Sequence, residues 1–150
     1  MVQRIQSVYL AGTVLIQLLI SQFSFLAFTQ NNTAYSLTTF GVINNDGVGI
    51  EEDYKQLFIV VLACVFGVIS ILLFKNRKLQ IKLTKLIGFI CIAQLSFVAI
   101  SFYRLHEANV QSLSIGIGTI LIPACAVLSI LARIAIKKDD NLIKSVDRIR

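Results

Sequence analysis

Tryptophan is absent from this 150-residue chain, proline, methionine and histidine occur once each, and Asp, Glu, Lys and Arg together make up only 15% of it. With 56% hydrophobic residues and a mean hydropathy of +0.78, so little charge leaves more apolar surface than one water-soluble core of this size can bury. The solvent this composition fits is lipid. The lone histidine, His106, stands beside Glu107. One His and one Glu supply neither a metal-ligand set nor an activated nucleophile. The three cysteines, Cys64, Cys91 and Cys125, show no C-x-x-C spacing and are read as small buried hydrophobes. No phosphate-cradling glycine loop, hydrolase elbow or nucleic-acid module is found. The expectation is a protein with no catalytic residues, cofactor or metal, and not an enzyme.

What is present is four apolar stretches, about 8–28, 57–74, 86–102 and 113–132, each near the roughly 20 residues that cross about 30 Å of hydrocarbon. No Asp, Glu, Lys or His lies inside them, and Arg133 is close enough to an end to snorkel. Pumps and proton-coupled carriers keep an ionisable group at depth, so the pattern argues against both. The first stretch is too long for a signal peptide and lacks a good cleavage site, so it is read as an uncleaved span.

The basic residues orient the spans. Arg4, Lys75, Arg77, Lys78, Lys82, Lys85, Arg133, Lys137, Lys138, Lys144, Arg148 and Arg150 fall on one side, against Lys55 and Arg104 on the other. By the positive-inside rule both termini are cytoplasmic. Twelve cations along one membrane face fit anionic headgroups rather than nucleic acid. Tyr9, Tyr54 and Tyr103 take the interfacial positions that Trp would otherwise share.

Short connections at 75–85 and 103–112 make neighbouring spans antiparallel, giving an up-down bundle. The reading is one membrane domain over residues 1–150. Its fold class is all-α, a polytopic four-transmembrane-helix bundle with a cytoplasmic amphipathic C-terminal helix. The outer loop, 29–56, holds either an irregular chain or a small hairpin, with strand-forming residues from Tyr35 to Ile43 and a turn at Asn45-Asp46-Gly47.

Gln17 and Gln94 fall near the middles of the first and third spans, at matching depth, where two amides can hydrogen-bond across an interface. They predict an interhelical polar contact. Pro123 crowds the carbonyl of Thr119 and predicts a kink in the fourth span, whose Gly116 and Gly118 suit close packing. Gln22 to Ala27 and Gln94 to Ala99 share Gln-x-Ser-Phe-x-Ala, a hint of duplication that apolar sequence also produces by chance.

In the tail, 133–150, Ile136, Ile143, Val146 and Ile149 recur at seven and three residues and form a narrow apolar stripe. The tail either lies on the inner leaflet or docks a protein partner. The residues assigned to that contact are Arg4, Arg133, Lys137, Lys138, Ile143, Lys144, Val146, Arg148 and Ile149.

The opening Met1-Val2-Gln3-Arg4-Ile5-Gln6-Ser7-Val8-Tyr9-Leu10 and the closing segment from Lys137 to Arg150 resemble the Bacteroidetes domain-of-unknown-function 4293 family of small four-span membrane proteins. The resemblance implies an inner-membrane protein of a Gram-negative bacterium and transfers no activity. Asn141 stands where that pattern is often acidic. The expected role is an accessory or scaffold subunit of an inner-membrane complex, in contact with anionic lipid and a protein partner, with homo-oligomers possible. The alternative is a small stand-alone carrier or lipid-binding protein with a site near mid-membrane.

Overall fold

The computed structural model describes residues 3–44, 46–74, 76–108 and 110–147, with the backbone alone at 3, 4 and 143–147. The elements run α1 (Gln3–Ile20), β1 (Leu26–Gln30), β2 (Thr33–Thr38), β3 (Gly41–Asn44), β4 (Gly49–Glu52), α2 (Lys55–Leu72), α3 (Arg77–Glu107), β5 (Ser112–Ile115) and α4 (Ile117–Asp147). Helices α2, α3 and α4 are long and apolar enough to cross a membrane, while the apolar part of α1, Ile5–Ile20, is shorter. Only 28%, 22% and 28% of the apolar windows of α2, α3 and α4 are buried within the molecule. The remaining apolar surface faces outward, which makes this a membrane protein.

Each helix packs on two neighbours: α1 on α2 and α4, α3 on α2 and α4. The buried positions have one rhythm. They are Gln6, Leu10, Thr13, Gln17 and Ile20 in α1, and Gln56, Val60, Ala63, Gly67 and Ser70 in α2. In α3 they are Gln80, Thr84, Ile87, Cys91, Gln94 and Val98. In α4 they are Gly118, Ile122, Cys125, Ser129, Ala132, Ile136 and Asp139. Alternating steps of four and three average 3.5 residues, the spacing of knobs-into-holes seams. Many seam residues are small or polar, while Phe58, Val65, Phe89, Ile92, Ile120 and Val127 point out. That inside-out distribution suits helices that gain nothing by hiding leucine from lipid and gain packing and hydrogen bonds by burying small and polar groups.

The all-α expectation fails on the side opposite the tail. Five antiparallel strands in the order β4-β3-β2-β1-β5 form a sheet over that end. The stretch 8–28 therefore does not run as one helix: α1 stops at Ile20, and the Phe25 N–H donates to the Leu37 carbonyl at 2.7 Å as the chain enters β1. Likewise 113–115 belongs to β5, not to the fourth helix. Hydropathy cannot separate a short buried strand from the end of an apolar helix. Leu26, Phe28 and Leu37 are buried on the sheet's inner face, so the strands look as greasy as a span.

The loop 29–56 is thus ordered. β1 and β2 meet at Asn31-Asn32, both with positive φ (52° and 64°), the conformation of a two-residue type I′ hairpin. The expected strand from Tyr35 to Ile43 is broken by a two-residue turn at Thr39-Phe40, where Thr38 pairs with Gly41. Gly47 turns the chain from β3 to β4 with φ 74°; Asn45 lies outside the described residues.

Candidate functional site

Gln17 and Gln94 meet. Gln17 Nε2 donates to Gln94 Oε1 and Gln94 Nε2 donates to Gln17 Oε1, both at 3.1 Å, closing a reciprocal amide pair that is 1% and 0% exposed. α1 and α3 are not adjacent in the helix ring, so these two long side chains bridge its diagonal. The second Gln17 N–H points toward sulfur, with Cys125 Sγ at 3.5 Å and Cys91 Sγ at 3.8 Å, and the Cys125 thiol faces the Thr13 carbonyl at 3.7 Å. All three cysteines are free. Because α1 ends at Ile20, Gln17 lies about one turn from the end of its helix, while Gln94 lies near the middle of α3.

The fourth helix meets the sheet by close backbone approach. Gly116 N–H donates to the Phe25 carbonyl at 2.8 Å and Gly118 N–H to the Ser24 carbonyl at 2.9 Å, where a side chain at Gly116 would collide with Ser24. Thr119 Oγ1 donates to the same Phe25 carbonyl at 2.6 Å. These groups serve the strand junction. Pro123 lies six residues into α4, which continues as helix to Asp147. The two Gln-x-Ser-Phe-x-Ala segments adopt different structures, one a turn leading into β1 and the other a helix interior.

At the opposite end the helices are fastened by polar contacts. Gln6 Nε2 donates to the Ala135 carbonyl at 3.2 Å, Gln80 Nε2 to the Ser70 carbonyl at 3.0 Å, and Arg77 Nη2 lies 2.9 Å from Asp139 Oδ2 with both side chains mostly buried. Asp139 was not singled out in the sequence, although it sits seven residues after Ala132 on the α4 seam. Ile136, assigned to an exposed apolar stripe, is fully buried with Leu10 and Ala132. Seam position outranks the tail's local amphipathicity. Arg133, Lys137, Lys138 and Leu142 are exposed. The side chains of Arg4, Ile143, Lys144 and Val146, and the whole of Arg148 and Ile149, lie outside the described residues.

Between the sheet and α3 is a crevice of about 390 Å³, with Phe28, Leu37, Phe97 and Leu105 in its walls and Asp53 and Arg104 at its rim. Burial raises the Asp53 carboxyl, but the Lys55 backbone N–H, the Lys55 ammonium at 3.1 Å and its charge outweigh this and leave it below its ordinary value. Tyr54 donates to Glu52 at 2.8 Å, and that bond pushes the phenol pKa up. His106 and Glu107 are exposed, and Glu107 accepts from Tyr103 at 2.7 Å. Among the described residues no group of three His, Cys, Asp or Glu could hold a metal ion.

The family model described as Domain of unknown function (DUF4293) matches residues 2–149, and the chain belongs to that family. No curated protein and no solved structure matches it.

Proposed function

We propose that this member of the family is a non-enzymatic accessory or scaffold subunit of a bacterial inner-membrane complex, with both termini cytoplasmic and the tail as its docking element. The observation that carries this reading is the closed Gln17–Gln94 pair. Each amide donates to and accepts from the other, and both are buried, so their polar atoms are turned toward each other and away from solvent rather than toward a transported solute. That speaks for a sealed body whose work is done on its surfaces and against a carrier using these residues.

The tail supports the same reading. α4 is one helix of 31 residues, about 46 Å at 1.5 Å per residue, longer than the roughly 30 Å hydrocarbon core. The Arg77–Asp139 pair and the Gln6–Ala135 bond fix its direction as it leaves the other helices, and Leu142 then stands exposed. A helix held in this way presents a surface without an ordering cost at binding.

Crosslinking at native expression level, followed by purification in mild detergent, tests the proposal. Truncation after Asn141 keeps Asp139 for Arg77 while removing the end of the tail. A reproducible partner that disappears on truncation, with the protein still in the membrane, is the expected result. Recovery of the same partner with the truncated chain contradicts docking through the tail.

A further inference from the structure

A groove of about 300 Å³ runs between α3 and α4 on the outward surface, and its chemistry changes along its length. At one end stand Lys85 and Arg133, both exposed and, among the described residues, neither in an ion pair. Beyond them the lining is apolar, with Phe89, Ile92 and Ile130 all more than half exposed. Gly88 and Ala126 supply the depth, since neither helix carries a long side chain there. The hydroxyls at the groove are committed, Thr84 to the Gln80 and Ile81 carbonyls and Ser129 to the Ala126 carbonyl. The lining spans residues 84–92 of α3, roughly 12 Å of helix.

We infer that this groove is a binding site for one anionic phospholipid, with its phosphate between Lys85 and Arg133 and one acyl chain along Gly88 and Ala126. Charge selects the occupant. Two cations line a groove whose walls contain, among the described residues, no carboxylate, and Asp139 of α4 is engaged by Arg77. A zwitterionic headgroup would bring a third positive charge to the cluster. Free phosphate would satisfy the cations but leave the apolar length uncovered. The Lys85 ammonium lies 5.6 Å above the Phe89 ring, so its stem already follows the groove wall and its charge sits at the mouth. Both residues belong to the cation-rich end of the molecule, where anionic lipid is drawn in any case. The groove turns that diffuse attraction into one defined position.

The test uses the delipidated full chain in mild detergent, with phosphatidylglycerol, phosphatidylcholine or inorganic phosphate added, read by melting temperature and by native mass spectrometry. Phosphatidylglycerol is expected to raise the melting temperature and remain bound, with the other two giving little. Lys85→Gln with Arg133→Gln is expected to weaken phosphatidylglycerol at least about tenfold, whereas Lys78→Gln with Lys82→Gln, which removes the same charge elsewhere on that end, leaves it nearly unchanged. A Cβ at Gly88 would meet only Ser129 Oγ at 3.7 Å, so Gly88→Ala is tolerated and Gly88→Leu, whose side chain extends into the groove, blocks the acyl chain. An equal response to phosphatidylcholine or phosphate, or equal losses in the two double variants, overturns the site. Should the Lys85/Arg133 variant not fold, phosphatidylglycerol with a photoactivatable acyl chain is applied to the unsubstituted protein. Labelling within 84–92 and 126–133 supports the inference, and labelling spread over all four helices overturns it.

Discussion

Gln17 and Gln94 exchange two hydrogen bonds of 3.1 Å across the diagonal of the four packed helices. A single replacement leaves the surviving amide buried without its partner, whereas a double replacement removes both polar groups together. Gln17→Leu or Gln94→Leu should each cost about 1 to 2 kcal/mol, and the double Leu variant less than the sum. Thermal unfolding of the four proteins in one detergent measures the coupling; unchanged stability in both single variants would remove the pair from the account.

Gly41 and Gly47 both have positive φ, 122° and 74°, but their surroundings differ. A Cβ at Gly41 would strike the Glu51 backbone carbonyl, while nothing lies within 4 Å at Gly47. Gly47→Ala should cost only the left-handed backbone penalty, about 1 to 2 kcal/mol, and leave the sheet assembled. Gly41→Ala should part β3 from β4. Hydrogen exchange over 41–52 distinguishes the two, with fast exchange confined to the Gly41 variant.

The Arg77–Asp139 pair has side chains only 15% and 11% exposed. Asp139→Ala leaves a guanidinium in that setting and should cost about 3 kcal/mol, near the lower end for a broken buried pair. Changing both residues to apolar ones of similar size should cost much less. Melting temperatures of the single and double variants provide the comparison, and a double variant no better than Asp139→Ala would count against the pair.

Asp53 has a folded-state pKa below its ordinary 3.8, held there by Lys55 against the opposing effect of burial. A depressed carboxylate contributes stability above its unfolded value, and that contribution disappears as pH falls through the folded one. The sheet end should therefore loosen in acid, in a window below pH 3.8. Asp53→Asn should flatten this part of the acid titration by losing the carboxylate's small contribution at neutral pH and matching the unsubstituted protein at low pH, as hydrogen exchange at the start of α2 can record.

Sequence and structure agree most closely where the signal is a polar residue in an apolar helix. Gln17 and Gln94 stand out as amides near the middle of apolar stretches, at matching depth. The same logic extends further than hydropathy suggested: Gln6, Thr13 and Gln17, or Gln80, Thr84 and Gln94, recur at multiples near 3.5 and mark the inward seam of each helix. Asp139 continues that seam in α4, which explains why it is buried and Lys138 is not. The sheet was harder to foresee. The turn singled out in the sequence is Asn45-Asp46-Gly47, not the Asn31-Asn32 hairpin; Leu26 to Phe28 and Leu113 to Ile115 read as span ends because strands of four or five residues carry no helical or alternating period long enough to detect. The pairing of β1 with β5 joins residues more than 80 positions apart, and no local pattern encodes it.

The central claim is that a sealed membrane body presents its sheet outside and the end of α4 to the cytoplasm. Single cysteines placed at Ser36 in β2 and at Asn141 in α4, with Cys64, Cys91 and Cys125 replaced by Ala or Ser, can be reacted with a membrane-impermeant maleimide in spheroplasts before and after permeabilisation. The account predicts that Ser36→Cys labels at once and Asn141→Cys only after permeabilisation; the reverse order would place the tail outside and end its role as a cytoplasmic docking element.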